Sequence, residues 1–325
     1  MKIVIAPDSF KESLDALAVA KAIEAGFKRV FPHAQYDLIP MADGGEGTVQ
    51  SLVDATQGRI ERVSVTGPLG ECVRAFFGVS GDGKTAFIEM SAASGLHLVP
   101  VAQRNPLTTT SYGTGELIKA ALDQGAKHII LGLGGSATND AGAGMLQALG
   151  VRFLDAQGRS VAWGGAALAS LVQMDLSQLD ARLADIRIQV ACDVDNPLCG
   201  VRGASAVFGP QKGATPAQVT QLDAALAHFS SVVVQQTGRD IANIAGAGAA
   251  GGMGGGLMLL PHAQLQSGVQ IVAEAVRLAE RVRDADWVIT GEGRMDAQSV
   301  CGNPPKGLAA VAKPFNKPVI ALVGS

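Results

Sequence analysis

The sequence predicts an α/β protein of two domains, one with a parallel sheet and one with a mixed sheet. Three observations carry that prediction. Short, mainly apolar runs at residues 2–6, 129–131 and 287–289, and a further strand-like segment at 186–191, are each followed by a glycine-rich or acidic turn. Most of these turns lead into apolar residues at helical spacing, the alternation expected of a doubly wound α/β fold. Residues 59–98 differ: runs at 59–65, 72–79 and 85–90 alternate and are split by Gly-Pro and Gly-Asp-Gly turns, the pattern of antiparallel hairpins. Finally, 325 residues suffice for two domains with sizeable cores.

Composition narrows the function classes. Hydrophobic residues make up 47% and charged residues 17%, so much of the chain is interior. The net charge of −3, with no basic stripe interleaved with aromatics, leaves no nucleic-acid footprint. The 41 glycines cluster in turns, as expected where backbone must approach a ligand closely. Cys72, Cys192, Cys199 and Cys301 form no CxxC pair and the histidines show no HExxH spacing, which argues against zinc. Sparse, unpaired cysteines fit a reducing cytoplasm. No apolar run is long enough for a signal peptide or a membrane span, so a cytoplasmic protein is expected.

In chain order, residues 2–6 read as a strand leaving through Pro7, Asp8, Ser9, Phe10 and Lys11. Ser13 is the expected N-cap of a helix with Leu17, Ala20, Ile23 and Phe27 on one face. A second strand at 36–40 leads through Asp43, Gly44 and Gly45 into a helix containing Leu52 and Val53. Ligands of open α/β sheets bind at the carboxyl ends of strands, so these polar clusters are expected to share a crevice. Gly78 to Thr85 satisfies GxxxxGK[ST], but residues 86–90 continue as a strand. A phosphate-binding loop must open onto a helix, so this is a hairpin turn.

Residues 128–150 form the central stretch. After Ile129, Ile130 and Leu131 come Gly132, Gly134 and Gly135, then Ser136, Thr138, Asn139 and Asp140, then Met145, Leu146 and Leu149 at helical spacing. Bare N–H groups and a helix N-terminus in this order suit an anion. Alone, the segment reads equally as a turn whose side chains merely cap the helix. It also fits the GxGxx[GA] dinucleotide fingerprint, with Asp155 about twenty residues on, so an NAD-dependent dehydrogenase is a competing class. Asp140 argues against it, because a carboxylate would stand where the pyrophosphate belongs. Further on, Thr215 and Pro216 start a helix as N-cap and first residue. The stretch 245–256 is expected to be a packed loop, 269–282 a helix, 308–312 part of a helix, and 319–323 a final strand.

Several motifs together match one family. They are Ala6-Pro7-Asp8-Ser9-Phe10-Lys11, Met41-Ala42-Asp43-Gly44-Gly45-Glu46-Gly47-Thr48 and Thr110-Ser111-Tyr112-Gly113-Thr114-Gly115-Glu116. To these are added Gly134-Gly135-Ser136-Ala137-Thr138-Asn139-Asp140, Ala191-Cys192-Asp193-Val194, Phe208-Gly209-Pro210-Gln211-Lys212-Gly213-Ala214 and Thr290-Gly291-Glu292-Gly293-Arg294. The chain resembles the bacterial type I glycerate kinases over essentially its whole length. The resemblance implies ATP-dependent phosphorylation of D-glycerate with Mg²⁺, to 2-phosphoglycerate; 3-phosphoglycerate is the alternative product, and a non-catalytic binding protein the alternative role. It also implies a flavodoxin- or Rossmann-like domain with a parallel sheet built from both chain ends, residues 1–64 plus 285–325. The inserted domain, residues 65–284, is α/β with a mixed sheet. No nucleic-acid or membrane partner is implied, and a homodimer is compatible with it.

Two departures stand out. Asp296, Gln298, Ser299 and Gly302 fit the family pattern, but Asn303 stands where a lysine is expected, with Lys306 a candidate substitute one helical turn on. The family also extends beyond the position of Ser325, so the first domain is expected to be incomplete at its C-terminus.

Phosphoryl transfer needs a metal, cations, hydrogen-bond donors and an aligned acceptor. Asp43, Asp140 and Asp193 are the candidate Mg²⁺ ligands, each equally readable as a cap. Gly134, Gly135 and Ser136 would donate to phosphate. Lys212, Lys11 and Arg294 are candidate cations for phosphate or the glycerate carboxylate, Arg294 suiting the latter by its planar fork. Asp8, Ser9, Gly44, Gly45, Thr138, Asn139 and Glu292, all inside matching motifs, are the other expected contacts. Asp193 is the expected general base and Asp296 the second choice.

Overall fold

The computed structural model describes residues 1–10, 13–45, 47–293 and 304–324. Lys11, Glu46, Arg294, Asp296, Gln298, Ser299, Gly302 and Asn303, named above, lie outside the described residues. The first part of the chain runs β1 (Lys2–Ile5), α1 (Ala16–Lys28), β2 (Gln35–Leu38), α2 (Thr48–Thr56), β3 (Arg59–Thr66), β4 (Cys72–Val79) and β5 (Thr85–Glu89). The middle runs α3 (Ser91–Ser94), α4 (Tyr112–Asp123), β6 (His128–Gly132), α5 (Ala143–Ala148), β7 (Arg152–Leu154), β8 (Gln173–Asp175) and β9 (Arg187–Ala191). Then follow α6 (Ala204–Phe208), α7 (Pro216–Thr237), α8 (Ala249–Leu257), β10 (Ala263–Gln266), α9 (Gly268–Ala275) and α10 (Leu278–Arg283). The last elements are β11 (Trp287–Glu292), α11 (Pro304–Ala312) and β12 (Val319–Val323).

Among the described residues, one sheet has the order β12-β11-β1-β2 and is parallel throughout. It takes two strands from each end of the chain. The second sheet has the order β10-β9-β6-β5-β4-β3, parallel from β10 to β5 and antiparallel from β5 to β3. The fold is therefore mixed α/β, with the parallel and mixed sheets that the sequence predicts. The chain changes sheet before Arg59, so a division after residue 64 falls inside β3.

The central strands β1, β11 and β6 are buried on both faces, which is why they read as nearly unbroken apolar runs, whereas the edge strands β2, β10 and β12 are partly exposed. Ile3, Ile5 and Ile289 pack on Val19, Ala20 and Ile23 of α1. Val4 and Val288 face the other way, into a cluster with Leu52, Ile271, Leu278 and Leu308 that also holds Phe87 and Ile130 of the second sheet. The helices α2, α9, α10 and α11 thus form a layer serving both sheets. Ile129 and Leu131, on the opposite face of β6, pack with Leu117 of α4, Leu146 of α5, Phe229 of α7 and Met253 of α8. Each fully buried side chain of this size contributes about 1.5–3 kcal/mol relative to exposure. Among the described residues no helix is long and apolar enough to cross a membrane.

Residues Ser80 to Thr85 form the β4–β5 hairpin turn, with Asp82 Oδ1 accepting from Ser80 Oγ (2.6 Å) and Lys84 N (3.0 Å). Thr215 caps α7 in a full capping box with Gln218, behind Pro216. Ser13 is not the cap of α1; Asp15 is, its carboxylate accepting from Ala18 N at 2.7 Å. The helix expected over 269–282 is broken into α9 and α10 because Arg277 adopts φ +51°. Of the stretch 245–256 expected as a packed loop, residues 245–248 form a turn, and the rest lies in the buried helix α8, whose start is kinked by Ala250, Gly251 and Gly252 at positive φ. Gly251 is required there, since a Cβ would strike the Thr138 carbonyl. The dehydrogenase reading fails on topology. The fingerprint needs its acidic residue at the end of a neighbouring strand of the same sheet, but Asp155 follows β7, which pairs with β8 in a separate antiparallel hairpin outside that sheet.

Candidate active site

The second sheet brings the carboxyl ends of β6 and β9 side by side, Gly132 opposite Ala191. The segment after β2 crosses directly over them. A Cβ on Gly44 would lie 2.6 Å from that of Ala191, and one on Gly132 would strike the Gly44 carbonyl. Glycine at both positions lets three loops converge. The result is a cleft of about 400 Å³, into which Asp43, Gly44, Gly45, Gly134, Gly135, Ser136 and Asp193 all face. Leu133, Leu96, Cys192, Val194, Phe208, Gln211, Ala249 and Ala250 complete its wall.

The cleft has two kinds of polar surface. Along the β6 turn, the N–H groups of Gly134, Gly135 and Ser136 find no intramolecular acceptor among the described residues. They are donors held ready for an anion, a concave arrangement of the kind that binds phosphate. Across from them stand two carboxylates. Asp43 Oδ1 accepts from Gly45 N at 2.9 Å. Asp193 Oδ1 accepts from Gly268 N, the first residue of α9, at 3.1 Å. A Cβ on Gly268 would strike the Asp43 carbonyl and come within 2.9 Å of Asp193 Oδ2, so glycine there holds the two aspartates together. Burial raises the Asp193 pKa above the ordinary aspartate range, and the Asp43 charge adds to the rise; the Ser267 hydroxyl and Gly268 N–H oppose it. Burial likewise pushes up the neighbouring Cys192 thiol, which makes it a poor nucleophile.

Two hard carboxylates beside a phosphate-type cradle fit Mg²⁺, which takes one or two protein carboxylates and completes its shell with phosphate oxygens and water. Among the described residues no cluster of three or more His, Cys, Asp or Glu that could hold a metal ion stands together.

The model of the glycerate kinase family matches residues 3–325. The chain belongs to that family. It is 66% identical over 324 residues to a glycerate kinase of Haemophilus influenzae, covering 100% of this chain and 86% of the relative. It is 58% identical over 325 residues to a glycerate 2-kinase of Escherichia coli K12, covering 100% and 85%. A crystal structure from Salmonella typhimurium LT2, provisionally assigned as glycerate kinase 2, superposes with a TM-score of 0.97 at 59% identity, covering 100% of this chain and 87% of that one.

The other residues that the glycerate kinase motifs singled out occupy three further places. Asp140, expected as a metal ligand, is 1% exposed and does not line the cleft. Its Oδ2 accepts from Ser111 N (2.9 Å), Ser111 Oγ (2.7 Å) and Gly144 N (3.3 Å), and its Oδ1 from Gly142 N (3.1 Å). The carboxylate thus ties the start of α4 to that of α5, and burial raises its pKa. Thr138 and Asn139 are also enclosed, Asn139 Nδ2 donating to Ser205 Oγ at 2.9 Å. Lys212 is 1% exposed beneath the glycine turn, its Nζ donating to Ser136 Oγ (2.8 Å) and Thr138 O (2.7 Å). Burial lowers its pKa to about 7, against the pull of the Asp140 charge.

Asp8, Ser9 and Glu292 lie at the carboxyl ends of β1 and β11, where the order of the parallel sheet reverses. Asp8 N donates to Gly291 O at 2.8 Å and Ser9 N to Asp8 Oδ1 at 2.7 Å. Such a switch point is the second natural crevice of this architecture. Lys306 is not brought to the cleft; it lines a groove of about 660 Å³ between α9, α10 and α11, with Arg277 and Glu274. Sequence reasoning missed Ser267 and Gly268, which hold Asp193. The available signal was a Ser-Gly pair opening an apolar helix, a weak one without the fold.

Proposed function

We propose that the chain transfers the γ-phosphoryl group of ATP to the 2-hydroxyl of D-glycerate, with Mg²⁺ as cofactor. The observation that carries the reading is the juxtaposition, in one cleft, of the Gly134–Ser136 donors with the Asp43 and Asp193 carboxylates. Membership of the glycerate kinase family selects the substrates, and the relative named glycerate 2-kinase selects the hydroxyl.

The three N–H groups of the glycine turn bind phosphate oxygens and fix the phosphoryl chain along the wall. Asp43 would hold Mg²⁺ together with phosphate oxygens and water; when bound, the ion neutralises charge on the transferring group and its leaving oxygen. Asp193 accepts the proton of the glycerate 2-hydroxyl. The freed oxygen pair bonds to the γ-phosphorus while the bond to the β–γ bridging oxygen breaks and ADP leaves. An aspartate with a raised pKa is, in its ionised form, a stronger proton acceptor than an exposed one. The apolar wall of Leu96, Leu133, Val194 and Phe208 limits water at the reacting atoms.

The test is ADP release coupled to a dehydrogenase assay, with MgATP and D-glycerate, followed by NMR of the product. 2-Phosphoglycerate is expected. Formation of 3-phosphoglycerate would overturn the regiochemistry, and ADP release independent of glycerate would overturn the substrate. Stabilisation of the chain by NAD(H) instead of MgATP in thermal unfolding would return the dehydrogenase class.

A further inference from the structure

Lys212 is the buried cation of the site that the proposed reaction does not use directly. It sits on the short turn between α6 and α7; Gln211 of that turn and Phe208, the last residue of α6, line the cleft wall. Its amine does not face the cleft; it reaches the underside of the glycine turn and donates to Ser136 Oγ and Thr138 O. As an ammonium the lysine has three N–H bonds and no lone pair, so toward both of these acceptors it can only donate.

The consequence falls on Ser136. A serine hydroxyl normally rotates to suit its surroundings, as donor or acceptor. Here the amine fills one acceptor position of the oxygen, so the hydroxyl hydrogen has to point elsewhere. Among the described residues Ser136 Oγ makes no other hydrogen bond. Ser136 faces the cleft next to the free N–H groups of Gly134 and Gly135, so its hydrogen is left for whatever anion lies there.

We propose that Lys212 is a positioning residue: it locks the Ser136 hydroxyl as a fourth donor beside the three N–H groups of the glycine turn, directed at an anionic oxygen of the bound ligand. This rests on the function proposed above. The oxygen belongs to the nucleotide phosphates or to the glycerate carboxylate, and separate binding measurements tell the two apart. Lys212 acts through Ser136 and does not itself touch the ligand. The same contacts fasten the wall carrying Phe208 and Gln211 to the turn, so some loss of stability is expected on its removal. That loss alone would not weaken binding through Ser136.

The experiment compares wild type, Ser136→Ala, Lys212→Met and the double variant by calorimetric titration with MgATP and, separately, with D-glycerate. Ser136→Ala is expected to weaken one of the two ligands about tenfold, the scale of losing a hydrogen bond to a charged group. Lys212→Met is expected to weaken the same ligand, and to add nothing in the Ser136→Ala background, because its effect passes through that hydroxyl. Multiplying losses in the double variant would overturn the proposal. So would wild-type binding by Ser136→Ala, or weakening of different ligands by the two single variants. If Lys212→Met does not fold, Lys212→Gln, which keeps an N–H donor, takes its place. It is then expected to weaken the ligand that Ser136→Ala weakens, again with no further loss in the double variant. If the wild-type chain binds neither ligand, the proposed function fails, and the four proteins are compared with tripolyphosphate. Equal affinity in all four would then overturn the positioning role as well, whereas the same non-additive loss would uphold it.

Discussion

Asp193→Asn separates catalysis from folding at the candidate site. Asparagine is nearly isosteric, and its Oδ1 can still accept the Gly268 N–H that holds Asp193 at 3.1 Å. What it loses is the charge and the ability to take a proton. A positioned base contributes about 10²–10⁴ in rate, so kcat with saturating MgATP and D-glycerate should fall by that factor, roughly 3–5 kcal/mol at about 1.4 kcal/mol per tenfold. Stability should move the other way. The folded pKa of Asp193 is raised, mainly by burial and further by Asp43, so ionising it costs more in the folded chain than in the unfolded one. The stabilisation that the proton brings is complete below the unfolded pKa and is lost as pH rises through the folded one. Above that folded pKa the wild-type chain carries the cost of the charge and Asp193→Asn does not, so there the variant should melt no lower than wild type. The wild-type kcat should have an acid limb centred above the ordinary aspartate range, and the variant should lack it. Near-normal kcat in Asp193→Asn refutes the base role. A kcat restored by raising Mg²⁺ moves Asp193 to the metal instead, and a markedly lower melting temperature refutes the electrostatic account of the cleft.

Three further substitutions test the remaining assignments. Loss of outer partners of a metal ligand already costs about 10–100-fold in affinity, so Asp43→Asn should raise the Mg²⁺ needed for half-maximal rate by at least about tenfold, measured by metal titration. Asp140→Asn places an amide among the four donors that the carboxylate accepts. Leaving one or more of them unpaired should cost about 1–3 kcal/mol in denaturant unfolding, with the Mg²⁺ dependence of the remaining activity unchanged. Gly268→Ala inserts a methyl between the Asp43 carbonyl and Asp193 Oδ2. Overpacking of this kind costs about 1–3 kcal/mol, and here it should also lower kcat by spreading the two carboxylates; stability and rate unchanged from wild type would mean that the aspartates are not held through this contact.

How much of this was legible in the sequence depends on how far each determinant reaches along the chain. Strand ends, the hairpin at Gly78 to Thr85 and the Thr215 cap are set by neighbours a few residues away, and the sequence pattern placed them. That polar clusters gather where strands end follows equally from local pattern plus the geometry of parallel sheets. The division of those clusters into residues that line the cleft and residues that lie beneath it does not. Asp140 and Asp193 both follow a parallel strand, and nothing in their immediate sequence separates them. Asp140 is enclosed because Ser111, 29 positions away, delivers both its N–H and its hydroxyl to the carboxylate. Asp193 stays at the cleft because the partner that holds it, Gly268, is the first residue of a helix 75 positions on and engages it from one side. Lys212 likewise meets Ser136 across 76 positions. In each case the role is decided by what a remote segment brings to the strand end. The same residue type can therefore be an enclosed tie under one helix start and a cleft-lining carboxylate beside another, and only the packed structure distinguishes them.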